Sequence, residues 1–287
     1  MNCLIENGKE RAYRRALALD FDGTIASHGE IRPWAEELLE NRVPGDVIRL
    51  IVTGRSLTSL RSSWSPPWPI DALIYSSGAG IYSCRRDEIV YQRELDTGET
   101  QTAIEILLEG RVDFMIHDPI PDNHCFRYHH EKGHPDFLER IKAYLSYARP
   151  FSYENYLPEP SCQLLAVGTQ EDFYPDLYNR LVSSGFGVVH TTSPLDGESI
   201  WMEIFPKDVS KGVTLSLLCT SLDFGPESVF ALGNDYNDYT MLQWAKHAYL
   251  VNEAPEELKK EFPVAGSMEG DSIPSLLLSW LKEGRLV

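Results

Sequence analysis

Ala16-Leu17-Ala18-Leu19-Asp20-Phe21-Asp22-Gly23-Thr24 is a short apolar run that ends in two carboxylates one residue apart. Arg14-Arg15 precede it, and its length and composition are those of a buried strand. Gly23 and Thr24 can turn the backbone sharply at the second carboxylate. Ligands of an open α/β sheet bind just beyond the carboxyl ends of its strands, where Asp20 and Asp22 fall. A strand followed by an Asp-Gly turn explains the stretch equally well when it is taken alone. The rest of the chain decides between the two.

Residues 30–39 carry apolar side chains at helical spacing, with Pro33 in the first turn. After Pro44-Gly45, Val47-Ile48-Arg49-Leu50-Ile51-Val52 reads as a strand that ends in Thr53-Gly54-Arg55. A helix from Leu57 is stopped by Ser65-Pro66-Pro67-Trp68-Pro69, and the Trp64-to-Pro69 stretch reads as a rigid surface loop. Ala72-Leu73-Ile74-Tyr75 is a third strand, ending in Ser76-Ser77-Gly78-Ala79-Gly80. Strands alternating with helices predict an α/β fold with a doubly wound, Rossmann-like parallel sheet. The last third returns to this rhythm. Its expected strands are residues 201–205, 229–232 and 248–251; its helices open at Ser210-Lys211-Gly212, at Tyr239 and near Leu276. The strand at 229–232 runs into Gly233-Asn234-Asp235-Tyr236-Asn237-Asp238.

From Cys84 the texture changes. Residues 89–91, 113–116, 126–129 and 163–167 read as strands, and 100–108, 135–147 and 172–183 as helices. This block is expected to be an inserted α+β domain, 83–191, splitting the sheet domain into 1–82 and 192–287. His117-Asp118-Pro119 and Asp122-Asn123-His124 form a polar cluster there, with Arg127 and His129 alternating on one strand face. A metal site is one reading. A polar loop is the favoured one, with contact to a substrate's leaving group as its functional version.

Hydrophobic residues make up 43 % and charged residues 24 % of the 287, enough for a real core. The 26 basic and 43 acidic residues give a net charge of −17. That argues against nucleic-acid and anionic-membrane partners, and it requires a local cation at any site for an anion. Five scattered cysteines without a CxxC pair point to free thiols in a reducing cytoplasm. Met1 to Asn7 lack a basic region followed by an apolar run, and no later stretch reaches the roughly 18 apolar residues of a membrane helix.

Asp20/Asp22, Thr53-Gly54-Arg55 and the Asn234-to-Asp238 cluster all lie at strand ends, with Lys211 at a helix start. Together they suit phosphoryl transfer. One carboxylate attacks phosphorus, and a second moves the proton to the leaving oxygen. Oxygen ligands hold magnesium, while a hydroxyl and a lysine offset charge. With these four clusters in this order, the chain resembles the haloacid dehalogenase superfamily, in its Cof-type, sucrose-phosphate-phosphatase-like branch with an α/β cap.

That resemblance implies Asp20 as nucleophile, Asp22 as general acid/base, and Thr53 and Lys211 as further catalytic residues. It implies Thr53, Gly54, Arg55, Ser77, Lys211 and Asn237 as the substrate's contacts. For Mg2+ it implies Asp20, the backbone carbonyl of Asp22 and position 234, with Asn237 and Asp238 supporting the ion or its waters. Asn234 stands where the family usually has aspartate, beside an Asp235 that is not normally there, so ligation by either side chain stays open. The expectation is a magnesium-dependent phosphatase that acts on a small phosphorylated metabolite, such as a sugar phosphate, through an aspartyl-phosphate. The alternatives are a phosphomutase and a catalytically weakened phosphate- or sugar-binding module.

Overall fold

The computed structural model describes residues 13–193 and 197–283, so Cys3 and the reading of Met1 to Asn7 lie outside the described residues. Two compact units divide the chain: Met1–Tyr91 with Ser210–Val287, and Gln92–Val209.

The first unit begins with β1 (Arg15–Leu19), buried along its whole length. A small hairpin, β2 (Ala26–Ser27) and β3 (Glu30–Ile31), precedes α1 (Pro33–Asn41). Then come β4 (Val47–Val52), α2 (Leu57–Ser63), β5 (Ala72–Tyr75), β6 (Gly80–Ser83) and β7 (Glu88–Gln92). Ser56 caps α2 by accepting from the Ser59 N–H.

The second unit contains α3 (Thr97–Gly110), β8 (Asp113–His117), β9 (Phe126–His129), α4 (Pro135–Ala143) and β10 (Ala148–Pro150). It continues with β11 (Leu164–Gly168), α5 (Gln170–Phe173), α6 (Asp176–Ser183), β12 (Phe186–Thr192) and β13 (Ile200–Pro206). Its sheet runs β10-β9-β8-β11-β13-β12 and is antiparallel apart from the β9–β10 pair. Side chains alternate across the sheet. Phe114, Ile116, Ala166 and Met202 pack with Ala103, Leu107 and Leu181 of α3 and α6. Met115, Leu165, Val167 and Trp201 pack with Phe137 and Ile141 of α4.

The chain returns to the first unit with α7 (Lys211–Ser221), β14 (Val229–Gly233), α8 (Tyr239–Trp244) and β15 (His247–Val251). It ends in α9 (Glu256–Lys259), β16 (Val264–Gly266) and α10 (Ser272–Glu283). The first sheet runs β16-β15-β14-β1-β4-β5-β6-β7, parallel from β16 to β5, with β6 folding back antiparallel on β5. The chain leaves β1 for β4 on one side and comes back to β14 on the other. This strand is therefore where the order reverses, and the carboxyl ends of β1, β4 and β14 border one crevice. Among the described residues no helix is long and apolar enough to cross a membrane.

Five expectations change. The units divide at Tyr91/Gln92 and Val209/Ser210, later than 82/83 and 191/192. The strand at 201–205 is β13 of the inserted sheet, where it pairs antiparallel with β11 and β12. A buried apolar run does not reveal which sheet it joins. The helix expected over 172–183 is broken at Pro175 into α5 and α6, and the one expected from Glu30 starts at Pro33, after a hairpin. The Trp64-to-Pro69 loop is exposed at 65–67, but it folds Trp64 and Trp68 inward, where they are 6 % and 8 % exposed.

Residues 83–87 also belong to the first unit, through Arg85. The buried Asp71 carboxylate accepts from Arg49 Nε and Nη2 at 3.0 and 3.1 Å, from the Arg49 backbone N–H at 2.9 Å and from Arg85 Nε at 2.9 Å. Burial pushes the Asp71 carboxyl up, but the Arg49 and Arg85 bonds more than reverse this and hold it below its ordinary value. A lowered folded-state value gives stability that is full above the unfolded value of about 3.9 and is lost as pH falls through the folded one. Asp71→Asn should cost about 3 kcal/mol at pH 7, and the gap to wild type should narrow as pH falls below about 3.9. Urea unfolding of both proteins at neutral pH and near pH 3 measures this; an equal gap at both would contradict it.

Candidate active site

Asp20 follows β1 directly, 3 % exposed, and its backbone N–H donates to Leu232 O of β14 at 2.9 Å. Its carboxylate is held on both sides. Oδ1 accepts from Lys211 Nζ at 2.7 Å and Oδ2 from the Thr24 hydroxyl at 2.9 Å. Lys211 is the first residue of α7, placed by the Ser210 cap that accepts from the Val213 N–H. It is 1 % exposed, so it is no solvated helix-start lysine. Besides Asp20, its ammonium donates to Asp238 Oδ1 at 2.6 Å and Asn237 Oδ1 at 3.1 Å, one acceptor for each of its three N–H bonds.

Asp238 is fully buried, and its second oxygen accepts from the backbone N–H of Asn234 at 2.8 Å and of Asp235 at 3.2 Å. It therefore folds the loop after β14 and anchors it to the lysine. Asp235 Oδ1 accepts from the Tyr236 N–H at 2.8 Å and caps the 3-10 turn Tyr236–Asp238. Asn234 points elsewhere: its Oδ1 is 3.4 Å from the Thr24 hydroxyl that also binds Asp20 Oδ2. Gly23 makes this approach possible. Its φ is +72°, and a Cβ there would lie 2.3 Å from Asn234 Nδ2.

The electrostatics follow from burial. Burial first, and Asp238 second, push the Asp20 carboxyl up to about 7 against the pull of Lys211. Burial alone would lower Lys211, but Asp20 and Asp238 outweigh it and hold the ammonium above the ordinary lysine range. Two buried carboxylates share one ammonium, so the cluster is short of positive charge. Asp20 Oδ2 and Asn234 Oδ1 converge on one hydroxyl, and both are the hard oxygen donors that magnesium takes. The residues present fit that ion. Among the described residues no three His, Cys, Asp or Glu side chains group to hold a metal, so a third donor here would be an amide or backbone oxygen.

Thr53 follows β4 and is buried; its hydroxyl oxygen accepts from the Arg55 N–H at 3.1 Å. Thr53 O accepts from the Ser77 N–H at 3.0 Å and Arg55 O from the Ser76 N–H at 2.9 Å, which ties this turn to the one after β5. A Cβ on Gly54 would lie 3.5 Å from Ser77 Oγ and 3.6 Å from Asn237 Nδ2. Thr53, Gly54, Ser77, Asn237 and Lys211 are thus neighbours around Asp20, although the sequence scatters them over four segments. Ser77 holds φ 52°, a conformation costly for a residue with a Cβ. Asp22 faces outward, its side chain 43 % exposed, and both its oxygens accept from Arg55.

The polar cluster of the second unit has structural work. His117 is buried, its Nδ1 2.8 Å from Asn123 O; burial, then Arg140, push it down to about 3 and keep it neutral. Asp118 pairs with Arg127 and Arg149, and the His129 ring lies tilted against Phe114 at 5.1 Å. Sequence reasoning gave no role to Thr24 or to Ser63, an Arg55 partner. The only signals were a hydroxyl next to the Asp-Gly turn and a serine two helical turns beyond Arg55.

The family model for haloacid dehalogenase-like hydrolases matches residues 17–269. Stress response protein YhaX of Bacillus subtilis (strain 168) is 23 % identical over 261 residues, covering 86 % of each chain. Among solved structures, the HAD subclass IIB sugar phosphatase BT4131 superposes with a TM-score of 0.72 at 18 % identity, over 96 % of this chain and 100 % of that one. BT1666 from Bacteroides thetaiotaomicron, from a study of phosphatases of the haloalkanoate (HAD) superfamily, gives 0.74 at 17 % identity, over 96 % and 97 %. These likenesses establish the fold.

Proposed function

This chain belongs to the haloacid dehalogenase-like hydrolases and is a phosphatase of that family; we propose that it is magnesium-dependent and hydrolyses a small phosphorylated metabolite, a sugar phosphate in the first place, through an aspartyl-phosphate on Asp20. One observation carries the reading: a buried lysine bridges Asp20 to Asp238 at the switch point of a parallel sheet.

The roles follow from position. Asp20 Oδ attacks phosphorus as the bond from phosphorus to the leaving oxygen breaks, and Asp22 gives that oxygen its proton. Water then attacks the aspartyl-phosphate; its proton goes to Asp22, phosphate departs and Asp20 is restored. Lys211, the Thr53 hydroxyl and the N–H groups around Gly54 offset charge on the transferring group. Asp20, the Asp22 carbonyl and Asn234 would hold magnesium, which supplies positive charge opposite the phosphate oxygens. Asp235 and Asp238 shape the loop around it, and Ser77 and Asn237 line the phosphate side. The sugar-phosphate assignment extends to this chain the printed description of BT4131. Cys84, Cys125, Cys162 and Cys219 are free thiols, which suits the reducing cytoplasm we propose as its setting.

A panel of phosphate esters assayed with magnesium and with EDTA tests the proposal. Phosphate release from at least one sugar phosphate, abolished by EDTA and restored by magnesium, is expected; release that ignores EDTA would contradict it. The neutral Asn234 amide gives a second test. Asn234→Asp adds a charge beside Asp20, and magnesium affinity measured by calorimetry should rise about tenfold or more. Unchanged affinity would remove residue 234 from the metal's ligands.

A further inference from the structure

Arg55 and the tryptophans that follow α2 have no part in the steps above. We propose that Arg55 is the positioning residue for Asp22, aiming the carboxylate that serves the leaving oxygen, and that the Phe21–Trp64–Trp68 stack and α2 hold Arg55 in turn. This rests on the phosphatase reading.

The guanidinium is turned to Asp22. Its bidentate edge grips Asp22, with Nε 2.6 Å from Oδ2 and Nη2 2.7 Å from Oδ1. A planar fork matched to both oxygens fixes the tilt of a carboxylate as well as its place. An Asp22 side chain this exposed would otherwise be free to turn.

Arg55 is itself enclosed. Nη1 donates to Ser63 Oγ and, at 3.5 Å, to Ser59 O, both in α2. Cζ lies 5.5 Å from the centre of the Phe21 ring, on the residue between the two aspartates. Phe21 stacks on Trp64 at 5.9 Å, and Trp64 lies 5.9 Å from Trp68. Trp68 Nε1 donates to Trp64 O at 2.7 Å and closes the proline-rich turn. A Cβ on Gly29, in the β2–β3 turn, would lie 3.2 Å from Ser63 Oγ and 3.6 Å from Arg55 Nη2. The proline-rich segment thus buttresses the acid/base residue.

General acid catalysis matters most when the leaving group is a strong base. The wild type, Arg55→Ala, Arg55→Lys, Asp22→Asn and the Arg55→Ala/Asp22→Asn double variant are compared on p-nitrophenyl phosphate and on phenyl phosphate, whose phenolate is the more basic. In single turnovers, Arg55→Ala should slow release of the leaving group about 30-fold on phenyl phosphate and less than about 3-fold on p-nitrophenyl phosphate, whereas hydrolysis of the shared aspartyl-phosphate, which also uses Asp22, should slow alike for both. Arg55→Lys should recover little, because one ammonium cannot grip both oxygens. The double variant should be no slower than Asp22→Asn alone, since Arg55 acts through Asp22. A tenfold rise in KM, equal slowing of leaving-group release on both esters or multiplying losses in the double variant would overturn the proposal while the phosphatase reading stands. A wild type inactive on both esters, with magnesium present, would overturn both.

Discussion

Asp20→Asn should abolish turnover, lowering kcat on any phosphate ester by at least about 10^4-fold. The amide is nearly the same size and still accepts a hydrogen bond, but it is too weak a nucleophile to attack phosphorus. Because Asp20 and Asp238 compete for one ammonium, removing one charge should leave the fold intact. A normal thermal transition together with lost activity is therefore the expected pair of results. Steady-state assays beside a circular-dichroism melt supply both. Turnover within tenfold of wild type would remove Asp20 from the chemistry.

Lys211→Met is the second large effect, and it acts on stability and on catalysis. The side chain is 1 % exposed, and among the described residues its charge is the one direct ion-pair partner of both Asp20 and Asp238. An uncharged chain of similar length leaves two buried carboxylates facing each other, a change that costs about 3–5 kcal/mol. Turnover should fall by about 10^3-fold or more, because the same ammonium stands beside the attacking oxygen. A double variant separates the two effects. Adding Asp238→Asn to Lys211→Met removes one of the stranded charges, so much of the stability should return in urea unfolding, while turnover should not. Stability and activity recovering together would mean that the lysine only holds the loop.

Much of this was legible in the residues. β1, β4, β5 and β14 are short apolar runs closed by polar turns, and such runs announce themselves because parallel strands are buried on both faces. Asp20, Thr53 and Lys211 were found because each ends or opens one of these elements. What the sequence could not show was orientation. The pair Asn234-Asp235 offers two neighbouring oxygens, and only the fold reveals that Asp235 caps the Tyr236 turn while Asn234 leans on Gly23. The resemblance placed Arg55 among the substrate's contacts; it does not reveal that the side chain reaches Asp22, 33 residues away in sequence. Trp64 and Trp68 read as a surface loop because prolines mark turns, yet a turn can fold its aromatic rings inward. The strand at 201–205 was assigned to the wrong sheet because its partners, β11 and β12, are set by pairing that an apolar run does not encode.

The central claim is the covalent intermediate on Asp20, and rapid acid quench followed by peptide mass spectrometry tests it most directly. The Asp22→Asn variant with p-nitrophenyl phosphate and magnesium is the sample of choice. Its leaving group needs little proton donation, whereas attack of water on the intermediate loses its base. The account predicts a phosphoryl group on the peptide carrying Asp20, formed with the burst of nitrophenolate and decaying as phosphate appears. Nitrophenolate release with Asp20 unmodified at every time point, or with the phosphoryl group on another residue, would contradict it.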